Sequence, residues 1–275
     1  MTDDVSRPTR GPVPGSGPGG PRRDLWREGA AQELVAKMRR TRRHPRPTQF
    51  DYLHMRRLVD DLAEAFARVG AGVKEVLDVY CGARPYEDLL PADAVITGLD
   101  VPGNPYGLAD VVSDEFLPFP DESFDLVMCI EAFHYVSDAE HGVAELRRVV
   151  RPGGHVLVSV PLVWEYDRTA FEHRWTGPEL AALFAGWDDV RIVENGGRAV
   201  SWATLTGSLA GLVQWNLPER RPLRLAARPL FTGLYLLVNG AGALLDRAER
   251  RFDRSTATLP MNLLLTARRP RELAA

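Results

Sequence analysis

The sequence is poor in cysteine. Its 275 residues include two, Cys81 and Cys129, too few for a disulfide framework or a cysteine-rich metal cluster. Both stand at the ends of apolar runs, where a buried, reduced thiol is the ordinary state. We therefore predict no metal site and a protein that folds in a reducing compartment.

Long apolar runs are also missing. The first 23 residues are rich in proline, glycine and arginine and have no apolar segment typical of a secretory signal. The apolar stretch at residues 230–245 is 16 residues long, which is shorter than the roughly 20 that a spanning helix needs. We expect a cytoplasmic protein with a disordered tail at residues 1–23.

A large excess of one charge is absent, because the net charge is −3. The charges are unevenly distributed, however. Residues 1–50 and 201–275 each carry 11 basic and 5 acidic side chains, whereas residues 51–200 carry 12 and 27. The acidic centre argues against a nucleic-acid groove, so no nucleic-acid partner is expected. The basic ends could contact an anionic surface.

What the sequence does have is a regular alternation of strands and helices after residue 73. Strands are predicted at Glu75–Val79, Ala94–Leu99, Leu126–Ile130, His155–Val160 and Val190–Glu194, and helices at Tyr86–Leu90, Ala139–Val149 and Gly177–Phe184. Strands that are apolar throughout are expected when helices cover both faces of a parallel sheet. The pattern predicts an α/β fold with a doubly wound sheet.

Helical segments are also predicted on both sides of this core. Two amphipathic helices cover about residues 24–40 and 51–69, and the basic run RRTRRHPRP between them is expected to be a solvated linker or a contact for phosphate or lipid headgroups. Residues 198–260 are too many for a plain connection and predict a helical insertion. The predicted domains are a tail (1–23), N-terminal helices (24–70), a core (71–197), the insertion (198–260), and a final strand with a C-terminal tail (261–275).

The loop DVYCGARPY, residues 78–86, follows the first strand but lacks the glycines of a phosphate-binding loop. Gly82 alone remains where G-x-G-x-x-G would need three. Asp78 at the entrance would repel phosphate and attract a cation. Asp100, 22 residues later, has the spacing of an acid that binds ribose hydroxyls. A nucleoside with a positively charged amino-acid arm suits both acids, which indicates S-adenosylmethionine as the cofactor.

Five segments resemble the class I S-adenosylmethionine-dependent methyltransferases of the type-11 branch. In order, they are VLDVYCGARPY, GLD, LPFPDESFDLVMCIEAFHYVSD, ELRRVVRPGGHVLVSVP and NLLLTARRP. The similarity runs mainly from about residue 73 to 197. The resemblance implies a methyltransferase with a Rossmann-like, seven-stranded sheet, here with N-terminal helices and an insertion before the last strand.

The resemblance also implies roles at the cofactor. Asp78 corresponds to the acid near the methionine amino group, Gly82 to the loop glycine, and Asp100 to the ribose acid. Asp114, with Phe116 behind it, falls where such enzymes contact adenine, and because the loop is one residue shorter than usual, Ser113 and Glu115 are alternatives to Asp114. The other cofactor-binding residues expected from the correspondence are Tyr80, Cys81, Cys129 and Glu131.

Two residues depart from the family pattern, because Tyr80 and Arg84 replace glycines. A side chain at position 80 brings a ring close to the methionine arm. Tyr80 therefore either lines the pocket or marks a decayed site. In the second case the chain would be a non-catalytic binding module.

The segment WEYDRTAFEHRWT, residues 164–176, follows a strand and should open on the cofactor edge of the sheet. It resembles part of methyltransferases found beside glycan-assembly enzymes. Trp164, Arg174 and Trp175 are predicted to bind a glycosyl or other polar small-molecule acceptor that is methylated on oxygen. The alternatives are that these side chains only pack the loop, or that the chain methylates an apolar natural product beneath the insertion.

A hydroxyl acceptor needs a general base. His173 is the predicted base, because imidazole titrates near neutral pH, with Tyr166 and His134 in reserve. A purely structural role is the alternative for His134.

Arginines flank the apolar stretch of the insertion. They are Arg220, Arg221, Arg224, Arg228, Arg247, Arg250, Arg251 and Arg254. Residues 220–254 are expected to form a lid or a dimer contact. The alternative is a peripheral membrane contact.

Overall fold

The computed structural model describes residues 28–70, 72–218 and 221–271. The helices are α1 (Glu28–Arg43), α2 (Tyr52–Val69), α3 (Ala139–Val149), α4 (Gly177–Leu183), α5 (Arg198–Trp215) and α6 (Arg221–Phe252). The strands are β1 (Glu75–Val79), β2 (Val95–Asp100), β3 (Val111–Val112), β4 (Phe124–Ile130), β5 (Val150–Pro161), β6 (Asp188–Asn195) and β7 (Asn262–Arg268). The predicted tail at 1–23 lies outside the described residues.

The seven strands form one sheet in the order β3-β2-β1-β4-β5-β7-β6. Strands β1 to β5 pair in parallel, whereas β7 runs antiparallel to both β5 and β6. The predicted Rossmann-like, seven-stranded fold is therefore confirmed. The strand order reverses between β1 and β4, and in sheets of this kind the ligand crevice lies beyond the carboxyl ends of the strands at that point.

Helices cover both faces of the sheet and bury its apolar side chains. On one face, Leu58 and Leu62 of α2 pack with Val76 of β1. On the other face, Leu146 of α3 and Leu180 of α4 join the cluster that contains β4 and β5. This two-sided burial is why the strands are apolar throughout.

Two local predictions need correction, and one strand was missed. The helix predicted at Tyr86–Leu90 is a single 3-10 turn, Glu87–Leu89. Helix α1 extends to Arg43, so much of the basic run RRTRRHPRP is helical rather than a linker. The helix ends there because Pro45 disfavours helical angles at the residue before it. The short edge strand β3 was not predicted from the sequence.

The insertion consists of α5 and α6, which pack against each other. The inner face of α6 is fixed to the rest of the protein by polar contacts. Asn239 Nδ2 donates to the carbonyl oxygens of Pro47 and Gln49 at 2.8 and 2.7 Å, and Arg57 pairs with Asp246 at 2.6 Å. By length and composition alone, Pro222–Phe252 could cross a membrane.

Candidate functional site

A cleft of about 1170 Å³ opens beyond the carboxyl ends of β1, β2 and β4. Eight of the predicted cofactor residues line it: Asp78, Tyr80, Cys81, Gly82, Asp100, Asp114, Phe116 and Glu131. Residues on four separate segments of the sequence therefore meet at the place where the strand order reverses. Cys129 is the exception, because its side chain is fully buried in the core of the sheet and does not face the cleft.

Asp100 organises the loop that follows β1. Its Oδ2 accepts hydrogen bonds from the backbone N–H of Gly82 at 2.9 Å and from Asn104 Nδ2 at 2.6 Å. Its Oδ1 accepts from the N–H of Val101 at 2.8 Å. The carboxylate is thus held rigidly at the edge of the cleft, and Oδ1 keeps a lone pair for a ligand hydroxyl.

Asp78 is a buried acid at the cleft, and the positive charge of Arg84 only partly offsets the effect of burial on its pKa. Its side chain is 5% exposed, and no ion pair to it is found within the described ranges. Burial raises the pKa of Asp78 to about 8, and the negative charge of Glu87 adds to the effect. A carboxyl group in this state gains most from a cationic ligand that enters the cleft.

The loop keeps the backbone of a glycine-rich turn although most of its glycines are missing. Tyr80, Gly82 and Arg84 have φ values of 56°, 53° and 52°, in the left-handed region that favours glycine. Arg84 supports this shape, because its guanidinium donates to the carbonyl oxygens of Leu108 and Ile96, each at 3.0 Å. Arg84 therefore stabilises the loop through these hydrogen bonds.

The Tyr80 ring forms part of the cleft wall. Its centroid lies 6.3 Å from that of Phe116, so the two rings flank the same part of the cleft. Burial raises the pKa of Tyr80 to about 12, with smaller contributions from Cys129 and Asp100, and the phenol therefore stays neutral. This position fits the pocket-lining alternative for Tyr80.

The three residues predicted as bases do not line the cleft, although the rings of His173 and His134 contact residues that do. The His173 ring stacks on Trp175 at 4.5 Å, and its Nε2 is 3.3 Å from the carbonyl oxygen of Ser137. Tyr166 is 69% exposed. His134 is buried, which lowers its pKa to about 4. None of the three lines the cleft.

The predicted acceptor residues of the 164–176 loop are engaged in packing. Trp164 lies 6.3 Å from Phe50 in a stacked arrangement, and Trp175 is in the core. Arg174 pairs with Glu172 at 2.6 Å. The loop reaches the cleft through residues 169–171 instead, so the packing alternative describes these three positions better.

Sequence reasoning missed the contribution of α1. Met38 and Arg42 line the cleft, which is covered by a helix from outside the sheet domain. Arg39 Nε donates to the carbonyl oxygen of Ala83 at 2.8 Å, and Arg43 pairs with Asp88 at 2.9 Å. The signal was the basic run itself, which had suggested a contact for anions.

Arg42 faces Glu131 across this part of the cleft. Burial raises the pKa of Glu131, while the Ser159 hydroxyl, which donates to Glu131 Oε1, and the positive charge of Arg42 act in the opposite direction. Arg42 Nη1 contacts the Met55 sulfur at 3.2 Å. Across the residues that the structure describes, no carboxylate forms an ion pair with Arg42.

Comparison with known proteins gives a match in the same region. Residues 77–158 match the family model described as "Methyltransferase domain". The chain is 34% identical over 137 residues to the ubiquinone/menaquinone biosynthesis C-methyltransferase UbiE of Cupriavidus pinatubonensis, which covers 46% of this chain and 52% of that protein. It is 36% identical over 105 residues to the phthiotriol/phenolphthiotriol dimycocerosates methyltransferase of Mycobacterium tuberculosis, covering 32% and 38%.

Among solved structures, the (4+2)-cyclase SpnF has a TM-score of 0.48 at 20% identity, over 78% of this chain and 81% of that one. The chain spans about half the length of the first curated relative and less of the second. The matched residues 77–158 extend from β1 into β5 and include the buried acids of the cleft.

Proposed function

We propose that this chain, whose residues 77–158 form a methyltransferase domain, transfers the methyl group of S-adenosylmethionine to an oxygen atom of a polar small-molecule acceptor. The observation that carries the proposal is the pair of buried acids, Asp78 and Asp100, on one cleft at the ends of adjacent strands. Asp78 favours a cation, and Asp100 is positioned to accept hydrogen bonds from a diol. Both groups occur in S-adenosylmethionine.

The amino-acid arm of the cofactor carries an ammonium and a carboxylate, and the cleft offers a partner for each. Asp78 would hold the ammonium, because a nearby positive charge relieves the cost of ionising a buried carboxyl group. Arg42 would bind the carboxylate, since its guanidinium faces the cleft without an ion pair in the described chain. Helix α1 would thus close over the arm once the ligand is present.

When bound, the cofactor supplies a methyl group attached to a positively charged sulfur. The chain then has to hold the acceptor in line with that methyl group and exclude water. Tyr80 and Phe116 form an apolar wall on one side. Phe171, from the loop after β5, lines the cleft as well.

Glu131 would act as the base that takes the proton of the acceptor hydroxyl. It follows β4, beside the strand of Asp78, and it is a titratable group with a raised pKa on the cleft. A raised pKa makes a carboxylate a stronger base at neutral pH. This role replaces the one predicted for His173.

The lining of the cleft favours a polar ring, such as a sugar or a hydroxylated aromatic compound. The Thr169 hydroxyl offers a hydrogen bond, and Tyr135 and Phe171 offer flat apolar surfaces. An acceptor with an apolar tail is the second candidate. The names of two relatives, a quinone-biosynthesis C-methyltransferase and a dimycocerosates methyltransferase, and the exposed apolar surface of α5 and α6 favour it.

Cofactor binding is the first test. Isothermal titration calorimetry with S-adenosylmethionine and S-adenosylhomocysteine should show binding to the parent protein. Asp78→Asn should weaken it at least tenfold, or about 1.4 kcal/mol, because the ammonium loses its counter-charge. Asp93→Asn is the matched control, since Asp93 is exposed and pairs with Lys74 away from the cleft.

Methyl transfer is the second test. The protein would be incubated with S-adenosylmethionine labelled on the methyl group and with a panel of glycosides, phenols and lipid-linked alcohols. Label in an ether-linked product supports the proposal. Tight cofactor binding without transfer to any member of the panel would favour the non-catalytic binding module. Label on a carbon atom of the product would indicate C-methylation, the reaction named for the first relative.

A further inference from the structure

The helices α5 and α6 expose far more large apolar side chains than a soluble surface normally carries. The residues concerned are Trp202, Leu205, Leu209, Leu212, Val213 and Trp215 of α5 and Leu230, Leu236, Leu237, Leu244 and Leu245 of α6. We call this set the apolar hairpin face. From it, we propose that the protein docks on an anionic lipid bilayer, with α5 and α6 lying in the interface.

The apolar hairpin face does not serve the cleft. In the described parts of α5 and α6, no residue lines the cleft, so the predicted lid over the substrate is not observed. Helix α5 has no charged residue after Arg198. Its inward side is buried at Ala203 and Gly207, while its outward side is Leu209 and its apolar neighbours. A helix that is apolar on all sides needs an apolar environment on all sides.

Helix α6 shows the same arrangement with a clear repeat. Leu230, Leu237 and Leu244 recur every seven residues, and at Gly233 and Gly240 between them an added Cβ would meet nothing within 4 Å. These leucines are 71%, 70% and 65% exposed. The outward side of α6 is therefore a flat strip of leucine and glycine.

The flanking charges select an anionic surface rather than a second copy of the chain. Arg228, Arg247, Arg251 and Arg254 are exposed, and none forms an ion pair within the described residues. The acids of this part of α6 are occupied, as Asp246 pairs with Arg57 and Arg250. A two-fold symmetric dimer through the face would place arginines near arginines, whereas anionic headgroups would neutralise them.

The geometry also indicates docking rather than crossing. The uncharged part of α6, residues 229–245, would be about 25 Å long, less than the roughly 30 Å of a bilayer core. Its inward side is bonded to the soluble body through Asn239 and Asp246. A helix fixed in this way along one side can insert the other side only to the depth of the headgroup boundary.

Docking would bring the cleft close to the membrane. The Ser208 hydroxyl of α5 donates to Glu165, and Arg174 Nη2 donates to the Glu165 carbonyl oxygen at 3.3 Å. The same loop continues to the cleft wall at Thr169 and Phe171. If the proposed function holds, the acceptor is then a polar head group on an apolar chain. The docking itself does not depend on that chemistry.

The test is flotation of the full chain with two kinds of vesicle, phosphatidylcholine alone and phosphatidylcholine with about 30% phosphatidylglycerol. We expect most of the protein to float with the anionic vesicles at about 0.1 M salt, and at least about fivefold less at 0.5 M salt. Recovery of the parent protein in the soluble fraction under all conditions would overturn the proposal.

The variant is the double change Leu237→Glu and Leu244→Glu, which adds charge to outward positions and should not disturb folding. It should reduce flotation at least about tenfold. Val95→Glu, at an equally apolar and 59% exposed position in β2, should float like the parent. Light scattering tests the alternative. If the parent does not float and is a dimer, and the double variant is a monomer, the apolar hairpin face binds a second copy of the chain.

Discussion

Cofactor binding should release protons from Asp78, and the amount follows from its environment. With a pKa of about 8, about nine tenths of the Asp78 carboxyl groups are protonated at pH 7. An ammonium placed against the carboxylate should lower the pKa by about 1–3 units. Binding at pH 7 should then release about 0.4–0.9 proton per site, less about 0.1 taken up by an amino group with an ordinary α-amino pKa.

Calorimetry measures this release directly. The observed binding enthalpy of S-adenosylhomocysteine is determined at pH 7 in phosphate and in Tris, which differ in ionisation enthalpy, and the slope between them gives the number of protons. Asp78→Asn should show a slope near zero and weaker binding, whereas Asp93→Asn should match the parent. Normal parental binding without any buffer dependence would refute the role assigned to Asp78.

Three further predictions follow. Because the folded pKa of Asp78 is raised, its contribution to stability is present below about pH 4 and lost as pH rises through about 8. The unliganded Asp78→Asn variant should therefore gain at least about 4 °C in Tm over the parent between pH 5 and pH 8. Parallel curves of Tm against pH for the two proteins would contradict this. The Tyr80→Gly variant should be more stable than the Tyr80→Ala variant by about 1 kcal/mol in denaturant unfolding, because both lack the ring and only alanine retains a Cβ at positive φ. The Tyr80→Gly variant should also keep cofactor affinity within about threefold of the parent. Glu131→Gln should reduce turnover at least about a hundredfold with little effect on cofactor affinity, and parental turnover should rise with pH as Glu131 ionises. His173→Ala should stay near parental turnover, and the reverse order of the two effects would return the role of base to His173.

The meeting of the predicted cofactor residues at one cleft could be foreseen from the sequence because it depends on local patterns. Asp78 and Asp100 each follow a short apolar strand, and parallel strands place their carboxyl ends at one edge of the sheet. Gly98 is one example, because a Cβ there would lie 2.9 Å from Cys81 Sγ. The GLD segment therefore packs closely against the loop after β1. The backbone at Tyr80 has a positive φ of 56°, in the region that glycine favours, although the residue is tyrosine.

The part of the cleft outside the matched strands could not be predicted in the same way because it depends on contacts between distant segments. Arg42 reaches the cleft only because neighbouring arginines fix α1 to Ala83 and Asp88, and nothing in the local sequence of α1 encodes those contacts. The aromatic residues of the 164–176 loop are as suitable for packing as for binding a sugar. The structure directs Trp175 inward and Phe171 toward the cleft.

Because α1 covers the cleft, the site combines residues from inside and outside the matched stretch. Under the proposed function, Asp78 and Asp100 would hold the methyl donor from the stretch that matches the methyltransferase domain model, whereas Arg42, which would bind the carboxylate of the same donor, lies on a helix upstream of that stretch. Donor recognition would then depend on two separate pieces of the gene, the strands of the sheet and α1. The loop at Phe171 could then change and accept a new acceptor while the strands and α1 stay the same, so that resemblance across the strands would reflect a common donor and not a common product.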